Sequence, residues 1–243
     1  YIPFALDEVR LDFDVIGLVE NSPDDVEVML AATRKEKVED RVAVAEAAGL
    51  KPTIMDIESY AARAAISRLT EQMPNRAKGQ VLALFQIGSQ VMHVSMLLDD
   101  QLIYEREQPF GGHQLTQEIV RTYGLSYEEA EVKKRNNDLP DGYQTEILEP
   151  FLETAAQEVT RAIQFFFTST PYTRVDQLFL AGGCAIIPGM VDTVANRTKL
   201  SASVVSPFKG MQLSSNVREK QLRIEAPAYP VSYTHLSCRR YAV

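Results

Sequence analysis

Three apolar runs at residues 81–87, 91–98 and 101–108 follow one another with only two short turns between them, Gly88-Ser89-Gln90 and Asp99-Asp100. Connections that short cannot cross over a sheet, so the runs are expected to pair antiparallel as a meander. Gly111-Gly112 then opens a helix carrying Leu115, Ile119, Val120 and Tyr123, and Gly124 stands where a helix stop is expected. A short acidic helix at 127–135 and a polar loop at 136–143 lead to the longest helix. Its apolar stripe includes Phe151, Leu152, Ala155, Val159, Ile163, Phe166 and Phe167, and helical spacing of that kind marks a core face. A short buried strand at 176–180 runs into Ala181-Gly182-Gly183, and a further helix is expected to begin near Pro188. A meander, helices, then a strand turning on Gly-Gly into a helix is an α/β plan.

The first part of the chain reads as a separate small module. Residues 9–19 alternate apolar and polar as a half-buried strand does. Asn21-Ser22-Pro23-Asp24 has turn chemistry, and 26–33 reads as a second strand. The charged stretch 34–41 enters a helix with Val38, Val42 and Ala45 on one face, closed by Gly49. A third strand is expected at 53–57, then an Ala-rich helix at 59–72. Residues 74–79 (PNRAKG) are the best linker candidate.

Composition narrows the function classes. A net charge of −8 disfavours nucleic acid or an anionic lipid surface as the main partner, since both select basic patches. Cys184 and Cys238 have no paired spacing and no neighbouring ligand cluster, so neither a disulfide framework nor a zinc site is expected, and a reducing compartment fits best. The longest uncharged stretch, 81–98, carries Gln86, Ser89, Gln90 and His93 and makes a poor membrane span. The chain opens on Tyr1-Ile2-Pro3-Phe4 without an initiator Met or a visible signal peptide, which suggests an N-terminal truncation.

Four motifs have chemical meaning. Gly88-Ser89-Gln90 leaves a buried strand, where backbone N–H groups and a hydroxyl can meet an anion. Gly111-Gly112 begins a helix, whose free N–H groups favour anions. Gly182 and Gly183 leave a flat surface against which a base or ribose can lie. Glu131 and Lys134 stand three apart on one helix face, so carboxylate and ammonium can bracket ribose hydroxyls. Each has an ordinary reading as well: a hairpin turn, a helix start, a strand-to-helix turn and a solvated ion pair. The phosphate loop GxxxxGK[ST], GxGxxG, HExxH and GxSxG are all absent.

In this order, the four motifs resemble the second half of actin, heat-shock and FtsA-type ATPases. Within that superfamily the wording is close to the PilM family of type IV pilus assembly proteins. The matching phrases are Tyr1-Ile2-Pro3-Phe4 with Leu11-Asp12-Phe13, Glu46-Ala47-Ala48-Gly49-Leu50, Asp56-Ile57-Glu58-Ser59-Tyr60-Ala61, Arg106-Glu107-Gln108-Pro109-Phe110-Gly111-Gly112, Gln164-Phe165-Phe166-Phe167 and Leu180-Ala181-Gly182-Gly183. The resemblance implies an actin-like (ribonuclease-H-like) fold of two lobes around a nucleotide site, with the first lobe incomplete here. Residues 1–57 correspond to the small inserted subdomain, 58–78 to a connecting helix of the first lobe, and 79–243 to the second lobe. Of that lobe, 79–124 and 176–243 form the base and 125–175 the upper part. Carried over, Gly88, Ser89 and Gln90 match the second phosphate loop, and Gly111 and Gly112 the glycines beside the phosphates. Glu131 and Lys134 match the ribose contacts, and Gly182 and Gly183 the adenosine motif. Two departures stand out. Gln86 replaces the usual Asp that helps hold hydrated Mg²⁺, keeping an acceptor but losing the charge. Residues 230–236 break an expected small-residue helix.

The resemblance implies a nucleotide-responsive scaffold. It would be cytoplasmic and peripheral to the inner membrane, and would bind the short N-terminal segment of the inner-membrane protein PilN. It would link that platform to the cytoplasmic pilus motor ATPases, with ATP and Mg²⁺ as cofactors and weak or no ATPase activity. The alternative is a catalytic phosphotransferase (kinase) of the same superfamily, for which Gln86 supplies no carboxylate at the strand end. A third reading is a scaffold that has lost its nucleotide.

Overall fold

The structure is a computed structural model. It describes residues 2–19, 22–57, 64, 66–71, 73–208, 212–215 and 217–229. The chain forms two compact units, residues 1–56 and 57–243.

In the first unit, β1 (Val9–Val19) and β2 (Ser22–Arg34) form an antiparallel ribbon. Phe13 lies opposite Leu30 and Val15 opposite Val28, with an irregularity near Gly17. Because side chains alternate, Leu11, Phe13, Val15, Val28 and Leu30 share one face, and all five are exposed. β2 begins at Ser22, inside the stretch expected to turn, because Ser22 already pairs with Val19. α1 (Lys35–Ala47) presents Val38, Val42 and Ala45 as its half-buried face. Gly49 adopts φ +77° just beyond its end, the left-handed stop that favours glycine. The strand expected at 53–57 does not form. The segment is exposed and pairs with no strand among the described residues, and a strand exists only where a neighbour's ladder meets it.

The second unit holds a five-stranded sheet in the order β5-β4-β3-β6-β7. β3 (Val81–Ile87), β4 (Met92–Leu98) and β5 (Gln101–Gln108) form the antiparallel meander, its second turn made by Asp99 and Asp100 at positive φ. β6 (Gln177–Ala181) lies parallel to β3, and β7 (Ala202–Val204) parallel to β6. Every residue of β3 is buried. Val81, Ala83, Phe85 and Ile87 pack against the helices on one side, while Leu82 and Leu84 pack against Ile66, Phe179 and Val205 on the other. A strand covered on both faces reads as a continuous apolar run, as this one does.

The helices are α2 (Gly112–Tyr123), α3 (Tyr127–Asn136), α4 (Glu149–Ser169), α5 (Met190–Thr198) and α6 (Glu219–Glu225). Ser126 and Glu129 cap α3 reciprocally, at 3.2 and 2.9 Å. A π-helical turn at Gln144–Leu148 leads into α4, whose stripe is the core as expected; Phe165, off that stripe, is exposed beneath Arg106. The helix expected near Pro188 starts at Met190 instead. Residues Gly183–Ile186 form a 3-10 turn first, and Gly189 at φ +85° sets the helix start. The helix expected at 59–72 is described only in part, helical at 64 and 66–70, and the tail from 230 lies outside the described residues. Among the described residues no helix is long and apolar enough to cross a membrane.

Candidate functional site

The three glycine motifs meet at the C-terminal end of β3. Open α/β sheets bind ligands outside the carboxyl ends of their parallel strands, and here the ends of β3 and β6 lie side by side, Gln86 opposite Ala181. The chain leaves β3 through Gly88, whose N–H donates to the Val91 carbonyl at 3.0 Å to close the turn. Ser89 and Gln90 are exposed at its tip.

The start of α2 presses on this turn. Gly112 N–H donates to Gly88 O at 3.0 Å and His113 N–H to Ser89 O at 2.8 Å. A side chain at Gly111 would place Cβ 2.4 Å from Ser89 O, so only glycine permits the approach. The N–H groups expected to stand free at this helix start are therefore spent on the neighbouring loop. The two motifs form one joint, and residues 89 and 90 at its tip are exposed.

The third motif arrives from the other side. Gly182 sits at φ +86°, ψ 172°, and a Cβ there would lie 2.4 Å from Ile87 O. Its lack of a side chain lets the two strand ends touch. Gly183 differs: a Cβ there would meet nothing within 4 Å. Of the pair, Gly182 serves packing and Gly183 leaves the open surface. Cys184 follows, buried, with its thiol 3.4 Å from Gly88 O. Burial pushes that thiol up to about 11, so it is protonated at neutral pH and is no nucleophile.

Glu131 and Lys134 do share a face of α3. They are bonded to each other, Lys134 Nζ to Glu131 Oε1 at 2.5 Å, and both engage Thr116 of α2. Burial raises the Glu131 carboxyl, but hydrogen bonds from Lys134 and Thr116 and the charges of Lys134 and Arg135 outweigh it and leave it below the ordinary value. Thr116 had no place in the sequence reading. Its position four residues after Gly112, hence over the same helix face, was the available signal.

Gln86 is buried at the strand end, on the face away from the helical core. Among the described residues no group of three or more His, Cys, Asp or Glu side chains could hold a metal ion. The groups that a nucleotide could meet here are the exposed residues 89 and 90, an open glycine at 183 and a carboxylate–ammonium pair. Mg²⁺ would be held mainly by phosphates and water, with Gln86 an acceptor through water. His93 Nδ1 lies 3.2 Å from Glu107, and a ring nitrogen of His113 lies 3.0 Å from Tyr127 Oη. Two clefts of about 600 and 450 Å³, beside His113 and between β5 and α4, contain none of the ten candidate residues. Flat glycine turns on one unit form a surface and do not enclose a volume by themselves.

The fold is that of known actin-like proteins. A PilM-PilN type IV pilus biogenesis complex matches at 24% identity over 96% of this chain and 67% of that one, with a TM-score of 0.76. MreB 5 of Spiroplasma citri bound to AMPPNP matches at 13% over 86% and 65%, with a TM-score of 0.52. An archaeal actin homolog matches at 13% over 88% and 62%, with a TM-score of 0.51. The chain thus spans two thirds or less of the second and third of these and barely more of the first. A family model described as type IV pilus assembly protein PilM matches residues 1–241. With that match over nearly its whole length, and an actin-like sheet whose glycine turns meet at the strand ends, the chain belongs to the PilM family of type IV pilus assembly proteins.

Proposed function

We propose that the chain acts as an ATP-binding scaffold in type IV pilus assembly, holding nucleotide against the joint at the end of β3 and turning it over weakly or not at all. The observation that carries this reading is the convergence of Gly88–Gln90, Gly111–Gly112 and Gly182–Gly183 on one point, with Gly183 left open. Adenosine lies against Gly183, phosphates face Ser89 and Gln90, and ribose meets Glu131 and Lys134. The Spiroplasma relative's bound AMPPNP supports a nucleotide on this fold.

The partner is the N-terminal segment of PilN. This is supported by family membership and by the complex named for PilM and PilN. Through that segment the protein sits peripherally on the cytoplasmic side of the inner membrane and connects the platform to the motor ATPases. Gly183→Val puts an isopropyl group where adenosine should lie. Calorimetry of the protein should show ATP binding lost in a variant that still folds, and unchanged affinity sinks the assignment.

A further inference from the structure

Glu131 and Lys134 come from one helix, one turn apart, and are bonded to each other, but the hydroxyl that holds both belongs to another helix. Thr116 of α2 accepts from Lys134 Nζ at 2.6 Å and donates to Glu131 Oε1, and it is fully buried. A hydroxyl has one proton and two lone pairs. The competing acceptor for that proton is Gly112 O at 3.3 Å, a neutral carbonyl at longer range, and the bond to a carboxylate is the stronger.

An ion pair on an exposed helix face holds no fixed geometry and contributes little. This one is tied to a buried hydroxyl on a neighbouring helix, and both charged side chains are about three-quarters covered. Glu131 Oε1 is thereby committed inward. Among the described residues, Glu131 Oε2 has one charged neighbour, Arg135 at 3.9 Å. Lys134 keeps one ammonium proton beyond its bonds to Thr116 and Glu131. One carboxylate oxygen and one ammonium proton are left without a hydrogen bond among the described residues, an acceptor and a donor on adjoining side chains, which is the pattern a ribose hydroxyl needs.

We infer that Thr116 is a positioning residue that locks this pair in its ligand-binding geometry and so sets the protein's preference for nucleotides with intact ribose hydroxyls. The inference rests on the reading above that Glu131 and Lys134 meet ribose. A Thr116→Val variant keeps the shape and removes the hydroxyl, Thr116→Ser keeps the hydroxyl, and Thr116→Ala is the substitute if valine unfolds the protein. Affinities for ATP, 2′-deoxy-ATP and 3′-deoxy-ATP are measured by calorimetry on each. The wild type should prefer ATP over at least one deoxy analogue by about tenfold, the range of a hydrogen bond to a charged group. Thr116→Val should lose that preference to within about threefold while binding the analogue nearly as before, and Thr116→Ser should retain it. A preserved ratio in the valine or alanine variant, even with all affinities lowered together, overturns the inference and leaves a purely structural role. A wild type that binds ATP and both analogues equally overturns the ribose assignment and the inference with it. Failure to bind ATP at all overturns the proposed function.

Discussion

The two glycines of the Ala181-Gly182-Gly183 turn look equivalent in the sequence and should respond oppositely to the same methyl group. At Gly182 an alanine meets two penalties. Its φ of +86° with ψ near 180° belongs to a region that is essentially glycine's alone, at a cost of about 1–3 kcal/mol. Its Cβ would also stand 2.4 Å from Ile87 O and 2.8 Å from Ile87 C, backbone atoms of a fully buried strand that cannot swing aside. Overpacking a rigid core adds about 1–3 kcal/mol. Gly182→Ala should therefore destabilise the protein by about 2–6 kcal/mol, against a total of about 5–15 kcal/mol for a domain. At Gly183 a Cβ meets nothing within 4 Å, so Gly183→Ala should stay within about 0.5 kcal/mol of wild type. Urea unfolding followed by circular dichroism gives both values from midpoints and slopes. ATP titration then separates the roles: Gly183→Ala should fold normally and bind ATP more weakly. A Gly182→Ala cost below about 1 kcal/mol, or equal costs at both positions, refutes the close contact between the ends of β3 and β6 on which the site is built.

Gln86→Asp should steepen the Mg²⁺ dependence of ATP binding by adding a carboxylate beside the metal-water shell. Wild-type turnover should stay well below the enzyme median of about 10 per second, and a rate at that level would overturn the scaffold reading. Cys184 has a native value near 11 against 9.0 for the free thiol, so the unfolded chain ionises first; its contribution, about 2–3 kcal/mol, is complete below pH 9 and is lost as pH rises through 11. In a Cys238→Ser background, iodoacetamide should label Cys184 slowly at pH 8 until urea unfolds the protein, and rapid native labelling would contradict its burial. A PilN N-terminal peptide should shift amides of residues 9–34, where the apolar face of the β1–β2 ribbon is exposed, with little change between low and high salt; shifts confined to 144–170 would place the partner elsewhere.

The sheet was legible because its signals are local. β3 is a continuous apolar run because both of its faces are covered, and Gly124 marks a stop because a left-handed residue is cheap only there. What stayed hidden depends on neighbours remote in the chain. Residues 53–57 have strand composition, but pairing requires a partner that composition does not name. The amides of Gly112 and His113 look free in any helix-start reading, and only the arrival of Gly88 and Ser89 occupies them. The difference between Gly182 and Gly183 is a matter of φ and of Ile87, neither of which a Gly-Gly dipeptide encodes. Thr116 was missed because its partners come from the next helix.

The distribution of charge around the joint bears on what a bound nucleotide would do. General acid–base catalysis needs a titrating group within hydrogen-bond reach of the reacting atoms. Among the described residues, the side chains at the end of β3 are Gln86, Ser89, Gln90 and a protonated Cys184, none of which exchanges a proton readily near neutral pH. The charges lie instead at the α2–α3 contact, where Glu131 and Lys134 pair directly and Thr116 bonds to both. His93 and His113 are engaged with Glu107 and Tyr127. On the proposed reading, a phosphate at the 89–90 tip would meet backbone dipoles and the Ser89 hydroxyl, which stabilise negative charge. Such a site converts nucleotide occupancy into a preference among conformations, because a ligand shifts an equilibrium only through its differential contacts with the two states. On the proposed reading, a grip on ribose at the α2–α3 contact and dipoles at the phosphate end are what a nucleotide-reporting scaffold asks of this surface, its output being the affinity for a partner.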